Sequence, residues 1–98
     1  MDGLIRIYLS WPPDQFMAMI KAAERLSDSG HVPIMQSCST QWTYLDRKRV
    51  EACDCLVRFS GESTKADFAV DCAKVLGLPV YFSLRACLDD LPKRAEVA

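Results

Sequence analysis

Five consecutive residues, Gly61-Glu62-Ser63-Thr64-Lys65, bring together a flexible backbone, two hydroxyls and a cation just ahead of a helical pattern. The first amides of a helix point outward and carry partial positive charge, so this stretch has the ingredients for binding an anion such as a phosphate. Plain N-capping explains the same residues, because Ser and Thr open many helices for structural reasons alone. The other groups with reactive side chains are Tyr8, His31, Asp46, Asp67, Asp71 and the cysteines at 38, 53, 55, 72 and 87. An odd cysteine count without a C-x-x-C pair points to neither a zinc site nor a redox motif. Buried or partly buried free thiols in a reducing compartment are expected instead. No metal and no cofactor is expected.

These groups need a frame. Residues 4–9 alternate apolar and polar before Ser10-Trp11-Pro12-Pro13, which reads as a strand running into a turn. From Asp14, the spacing of Phe16, Met19, Ile20, Ala23 and Leu26 predicts a helix that Gly30 stops. A second strand is expected at 32–35, a polar loop over 36–43, a charged helix over 44–53 and a third strand at 55–59. Ser63 and Thr64 can cap a helix over 65–76, which ends at Gly77 with Pro79 beyond. A fourth strand at 80–84 and a short helix at 85–91 precede a charged tail, the one place where disorder is expected.

Strands alternating with helices through short connections imply βαβ units. The expected fold is therefore α/β, a small doubly wound parallel sheet of about four strands with helices on both faces. Ligands of such sheets bind beyond the carboxyl ends of the strands. Here that edge carries residues 8–11, 36–40 and 60–65. With 98 residues, a single domain is expected over 1–98. Half of the residues are hydrophobic, mean hydropathy is +0.01 and net charge is −1, with Lys and Arg scattered. Such a chain lacks the basic footprint of a nucleic-acid polymer binder. It also lacks an apolar run of the roughly 20 residues that cross a bilayer. A cytoplasmic location is expected.

The opening Ile5-Arg6-Ile7-Tyr8-Leu9-Ser10, with a helix and Gly30-His31 after it, resembles the start of the nucleoside 2-deoxyribosyltransferase-like superfamily. Asp46, Ala52-Cys53-Asp54-Cys55-Leu56-Val57, Gly61-x-Ser63 and Ala73-Lys74-Val75-Leu76-Gly77-Leu78-Pro79-Val80-Tyr81 follow the order and spacing of that superfamily over most of the chain. The resemblance implies a site for a nucleoside or nucleoside monophosphate. It also implies a glutamate, on the helix after the serine loop, that attacks the anomeric carbon as the base departs. A carboxylate beneath the sugar suits the oxocarbenium character of that step. Ser63 and nearby amides would hold phosphate, with Gly61 and Thr64 around it; Lys65 departs from the related sequences, which often have glycine there, and would stiffen the loop and offer its ammonium to the phosphate. Tyr8 would contact the sugar or orient the nucleophile, and Asp46 would bind the ligand, although an aspartate at a helix start is commonly a cap. Trp11, with Pro12 and Pro13, would wall the base, Trp42 would stack on it and Ser10 would contact the ligand; either tryptophan can equally pack at a surface or dimer interface. A homodimer is implied.

The departure from that pattern is at Ala69, which stands at the nucleophile's position. A methyl group cannot attack. Natural loss of catalysis, a different carboxylate and an engineered Glu-to-Ala change are the three explanations, and a stripe of Ala66, Ala69 and Ala73 that seats a helix close on a sheet accounts for Ala69 by packing alone. Asp67 and Asp71 lie about 200° around the helix from position 69; of the two, Asp67 is the better substitute because the first turn favours a negative charge. The expected function is that of a nucleoside monophosphate N-glycoside hydrolase or deoxyribosyltransferase-like protein, inactive in this form. A hydrolase is slightly preferred, since a transferase must hold a second base and exclude water within short loops. The rival is a nonenzymatic nucleotide-binding or sensing module. A flavin or phosphoacceptor domain is disfavoured because no acidic cluster follows the first strand.

Overall fold

The computed structural model describes residues 4–37 and 39–97; the thiol expected at Cys38 lies outside them. The chain runs β1 (Arg6–Ser10), a 3₁₀ turn (Pro13–Gln15), α1 (Phe16–Asp28), β2 (Val32–Met35), α2 (Tyr44–Glu51), β3 (Cys55–Arg58), α3 (Thr64–Val75), β4 (Val80–Tyr81) and α4 (Leu84–Val97). The strands form one parallel sheet in the order β2-β1-β3-β4.

Successive strand residues point to opposite faces, and that alternation builds two cores. Ile7 and Leu9 of β1, with Cys55 and Val57 of β3, meet Met19 and Leu26 of α1 and Cys87 and Leu91 of α4. Tyr8 and Leu56 point the other way, against Val50 of α2 and Ala69, Val70 and Ala73 of α3. The sheet is thus doubly wound, as expected. From β1 the chain first adds β2 on one side and then β3 on the other, so the order reverses between β1 and β3, whose ends pair at Ser10 and Arg58. A site of this fold belongs at that point.

Helix α3 lies close on the sheet because Ala66, Ala69 and Ala73 are buried. Ser63 caps it, its Oγ accepting the Ala66 N–H at 3.1 Å. Its other end closes in a Schellman turn, in which the Leu78 N–H reaches the Ala73 carbonyl at 2.8 Å across Gly77.

Two expectations near the C-terminus are corrected. The fourth strand stops at Tyr81 rather than continuing to residue 84, because the Ser83 hydroxyl accepts the Ala86 N–H at 3.1 Å and turns the chain into α4. That helix continues past Pro92 to Val97 in place of a charged tail. The chain also enters α1 through a 3₁₀ turn, so the α-helix proper begins at Phe16.

Gly61 sits where the β3–α3 connection passes the turn after β1. Its φ is +118°, and a Cβ added there lies 3.0 Å from Pro12 Cγ. Gly61→Ala is therefore expected to lower stability by about 1–2 kcal/mol, read as a lower urea midpoint; an unchanged midpoint would contradict this close approach.

Candidate functional site

A buried carboxylate lies under the edge where β1, β2 and β3 end. Thr43 caps α2, and Asp46, three residues on, completes a capping box with it. Asp46 is fully buried. Its Oδ1 accepts the Ser37 N–H at 2.8 Å and the Tyr8 hydroxyl at 3.4 Å. Its Oδ2 accepts the Ser37 hydroxyl at 2.9 Å, the Thr43 N–H at 3.0 Å and the Thr43 hydroxyl at 2.8 Å. Burial pushes its pKa up, but the donors from Ser37 and Thr43 outweigh it and bring the carboxyl down to about 2. Tyr8 moves the opposite way: burial first, then the charge and hydrogen bond of Asp46, raise its pKa well above the ordinary range. At neutral pH the pair is a phenol donating to a carboxylate.

Lys65 enters the same network from α3. Its Nζ donates to the Ser37 carbonyl at 2.9 Å, the Ser37 hydroxyl at 2.9 Å and the Ser39 carbonyl at 2.5 Å, and lies 3.4 Å from Asp46 Oδ2. Ser37 therefore relays, accepting from the ammonium and donating to the carboxylate. The phosphate contact expected of Lys65 is not available in this arrangement, because all three ammonium protons face protein oxygens.

Above the network opens a cleft of about 410 Å³ lined by Thr40, Gln41, Trp42, Thr64, Lys65 and Phe68. Trp42 and Phe68 form its aromatic side, ring centroids 6.5 Å apart and planes inclined by 28°. Thr64 and Lys65 are the first two residues of α3, so their N–H groups have no acceptor within the helix. An aromatic surface beside unpaired amides suits a flat ring carrying an anionic group. The volume falls within the usual range for small-molecule sites, roughly 300–1,000 Å³.

The other expected site residues are placed differently from one another. Tyr8 and Ala69 belong to one packed cluster, with Ala69 only 1% exposed. Asp67 points away, its side chain 69% exposed and paired with Arg58 at 2.8 Å. Ser10 is buried at the end of β1, and its Oγ has no hydrogen-bond partner among the described residues. Trp11 follows Leu9 onto the α1–α4 side, where it packs against that core, the packing alternative that its position left open. Its N–H and carbonyl are clasped by the Gln36 side chain at 3.3 and 3.2 Å. Gly61 contributes shape, its carbonyl accepting from Arg58 Nη2 at 3.0 Å. Trp42 lies on the cleft.

Sequence reasoning passed over Ser37, Thr43, Arg58 and Phe68. The spacing of Thr43 and Asp46 is a legible capping signal. Ser37 lies 28 residues from Lys65, and no local pattern joins them. Burial pushes the Cys53 thiol up to about 12 and raises that of Cys72, so neither is activated as a nucleophile. Cys53, Cys55 and Cys87 are buried and Cys72 is half-buried, as expected of structural thiols.

Because its carboxyl is depressed when folded, Asp46 stabilises the protein above about pH 4, and that contribution is lost as pH falls through about 2. Asp46→Asn should cost on the order of 3 kcal/mol at neutral pH by leaving a buried ammonium without its counter-charge, and should flatten the urea midpoint between about pH 5 and pH 2. Parallel acid profiles for parent and variant would refute this role.

No protein-family model matches the chain, and no curated protein matches it in sequence. A solved structure of a 2-deoxyribosyltransferase from the psychrotolerant bacterium Bacillus psychrosaccharolyticus is similar, with a TM-score of 0.62 and 21% identity over 76% of this chain and 69% of that chain. The likeness is one of fold, and it places this chain's four-stranded sheet on the architecture of that transferase.

Proposed function

We propose that this chain is a nucleotide-binding module built on the deoxyribosyltransferase fold, and that in its present form it does not cleave the glycosidic bond. The observation that carries the reading is the methyl group of Ala69, buried in the same cluster as Tyr8, at the position where the resemblance calls for a nucleophilic carboxylate. Neither nearby carboxylate replaces it. Asp46 has both oxygens engaged below the cleft, and Asp67 faces outward to Arg58. Without a carboxylate beneath the sugar, the positive charge that develops at the anomeric carbon has no partner.

The ligand in this reading is a nucleoside monophosphate. Its base lies along Trp42 and Phe68, and its phosphate takes the Thr64 and Lys65 amides with the hydroxyls of Ser63 and Thr64. Ser63 can serve as cap and ligand together, since its oxygen accepts from Ala66 while its proton remains to donate. Exposed Val75 at the end of α3 and Leu76 at its C-cap support a homodimer beside the cleft. Among the described residues no helix is long and apolar enough to cross a membrane. The cysteine set supports a reducing, cytoplasmic setting.

Titration calorimetry with a panel of nucleoside monophosphates should show binding to the parent chain, weakened about tenfold in Ser63→Ala, the equivalent of roughly 1.4 kcal/mol for one lost hydrogen bond. No binding by any of them removes the proposal. Chromatography of the same panel should show no free base with the parent. Base released by Ala69→Glu would mark an N-glycosidase lacking only its carboxylate; release by the parent would overturn the nonenzymatic reading.

A further inference from the structure

One ammonium joins the two walls of the cleft. Lys65 leaves the first turn of α3 with its side chain 5% exposed and ends among four oxygens: the carbonyls of Ser37 and Ser39, the Ser37 hydroxyl and Asp46 Oδ2. All four belong to α2 or to the connection that leads into it. Trp42 lies three residues beyond Ser39 on that connection and stacks on Phe68, three residues beyond Lys65 on α3. Residues three apart share a helix face, so an ionic tie and an aromatic tie link the same two segments side by side.

Two costs show that the ammonium, rather than its hydrocarbon stem, is what this position requires. A cation in the first turn of a helix opposes the helix dipole. A buried charge also forfeits its hydration unless protein groups replace it. The four oxygens meet both costs: three take the protons, and the Asp46 carboxylate balances the charge. We infer that Lys65 is a positioning residue, the built-in cation of an oxygen cage that holds Trp42 against Phe68 and so sets the aromatic wall of the cleft. The cage recognises an alkylammonium group, and emptying it of Lys65 leaves a site for a free one.

The test uses a Trp11→Phe background, in which Trp42 is the remaining tryptophan. Lys65→Met keeps the stem and removes the charge. It should shift Trp42 emission to the red and increase acrylamide quenching while the far-ultraviolet circular dichroism stays that of a folded chain. Lys65→Ala should behave alike, and propylammonium chloride should restore protection where tetramethylammonium chloride at equal ionic strength does not. If either variant melts early, the readout is Tm, which propylammonium should raise in Lys65→Ala and leave unchanged in the Lys65 parent. Trp42 as protected in Lys65→Met as in the parent, or equal responses to the two salts, would overturn the inference. No readout uses a nucleotide, so this inference and the proposed function stand or fall separately.

Discussion

A carboxylate with no solvent contact stays ionised only where donors replace its water, and Asp46 has them from three places in the chain. Tyr8 comes from β1, Ser37 from the chain after β2, and Thr43 from the cap of α2; Lys65 adds the counter-charge from α3. Removing the anion would leave each of these groups short of a partner, and each belongs to a different segment of the functional edge. The geometry of that edge thus depends on one charge. Buried polar networks are costly when half satisfied and rigid when complete, and this one is complete around Asp46.

The apolar frame makes the network possible. Alternation in β1 sends Ile7 and Leu9 into one core and Tyr8 into the other, so the phenol is delivered to the α2–α3 side by strand periodicity alone. The alanines of α3 bring that helix close enough for Lys65 to span to Ser37. Arg58 adds a second clamp at the end of β3, donating to the Phe59 and Gly61 carbonyls and to Asp67, which shapes the turn leading to the Ser63 cap. Packing places the polar groups, and the polar groups then fix the loops.

Much of this frame was legible in the residues. Helical spacing ending at Gly30 and Gly77, apolar runs between turns, and hydroxyls ahead of α3 locate most elements and the doubly wound topology, because periodicity and capping are local signals. The end of β4 was misread because Phe82 and Leu84 prolong an apolar run that the Ser83 cap interrupts. Trp11 continues the alternation of β1 onto the side of Leu9, so strand periodicity favours its packing role. The roles of Lys65 and Ser37 were illegible for a different reason: they meet across 28 residues, and only the assembled sheet brings them together. Trp42 could be anticipated as a stacking residue, whereas its partner Phe68 could not.

The charge balance around Asp46 bears on what position 69 tolerates. Asp46 and Lys65 are a neutral pair, buried and mutually satisfied. A second carboxylate on the face of α3 that packs Tyr8 would make the cluster net negative in a medium that screens poorly, and repulsion together with burial would raise its pKa. An enzyme exploits such tension, since a carboxylate pressed beneath a sugar gains most when positive charge develops there. A module that only binds has no use for it. Alanine at 69 removes the tension, lets α3 settle on the sheet and leaves the aromatic wall and the α3 amides in place, so the groups proposed to hold a nucleotide are separable in this fold from the carboxylate that would break it.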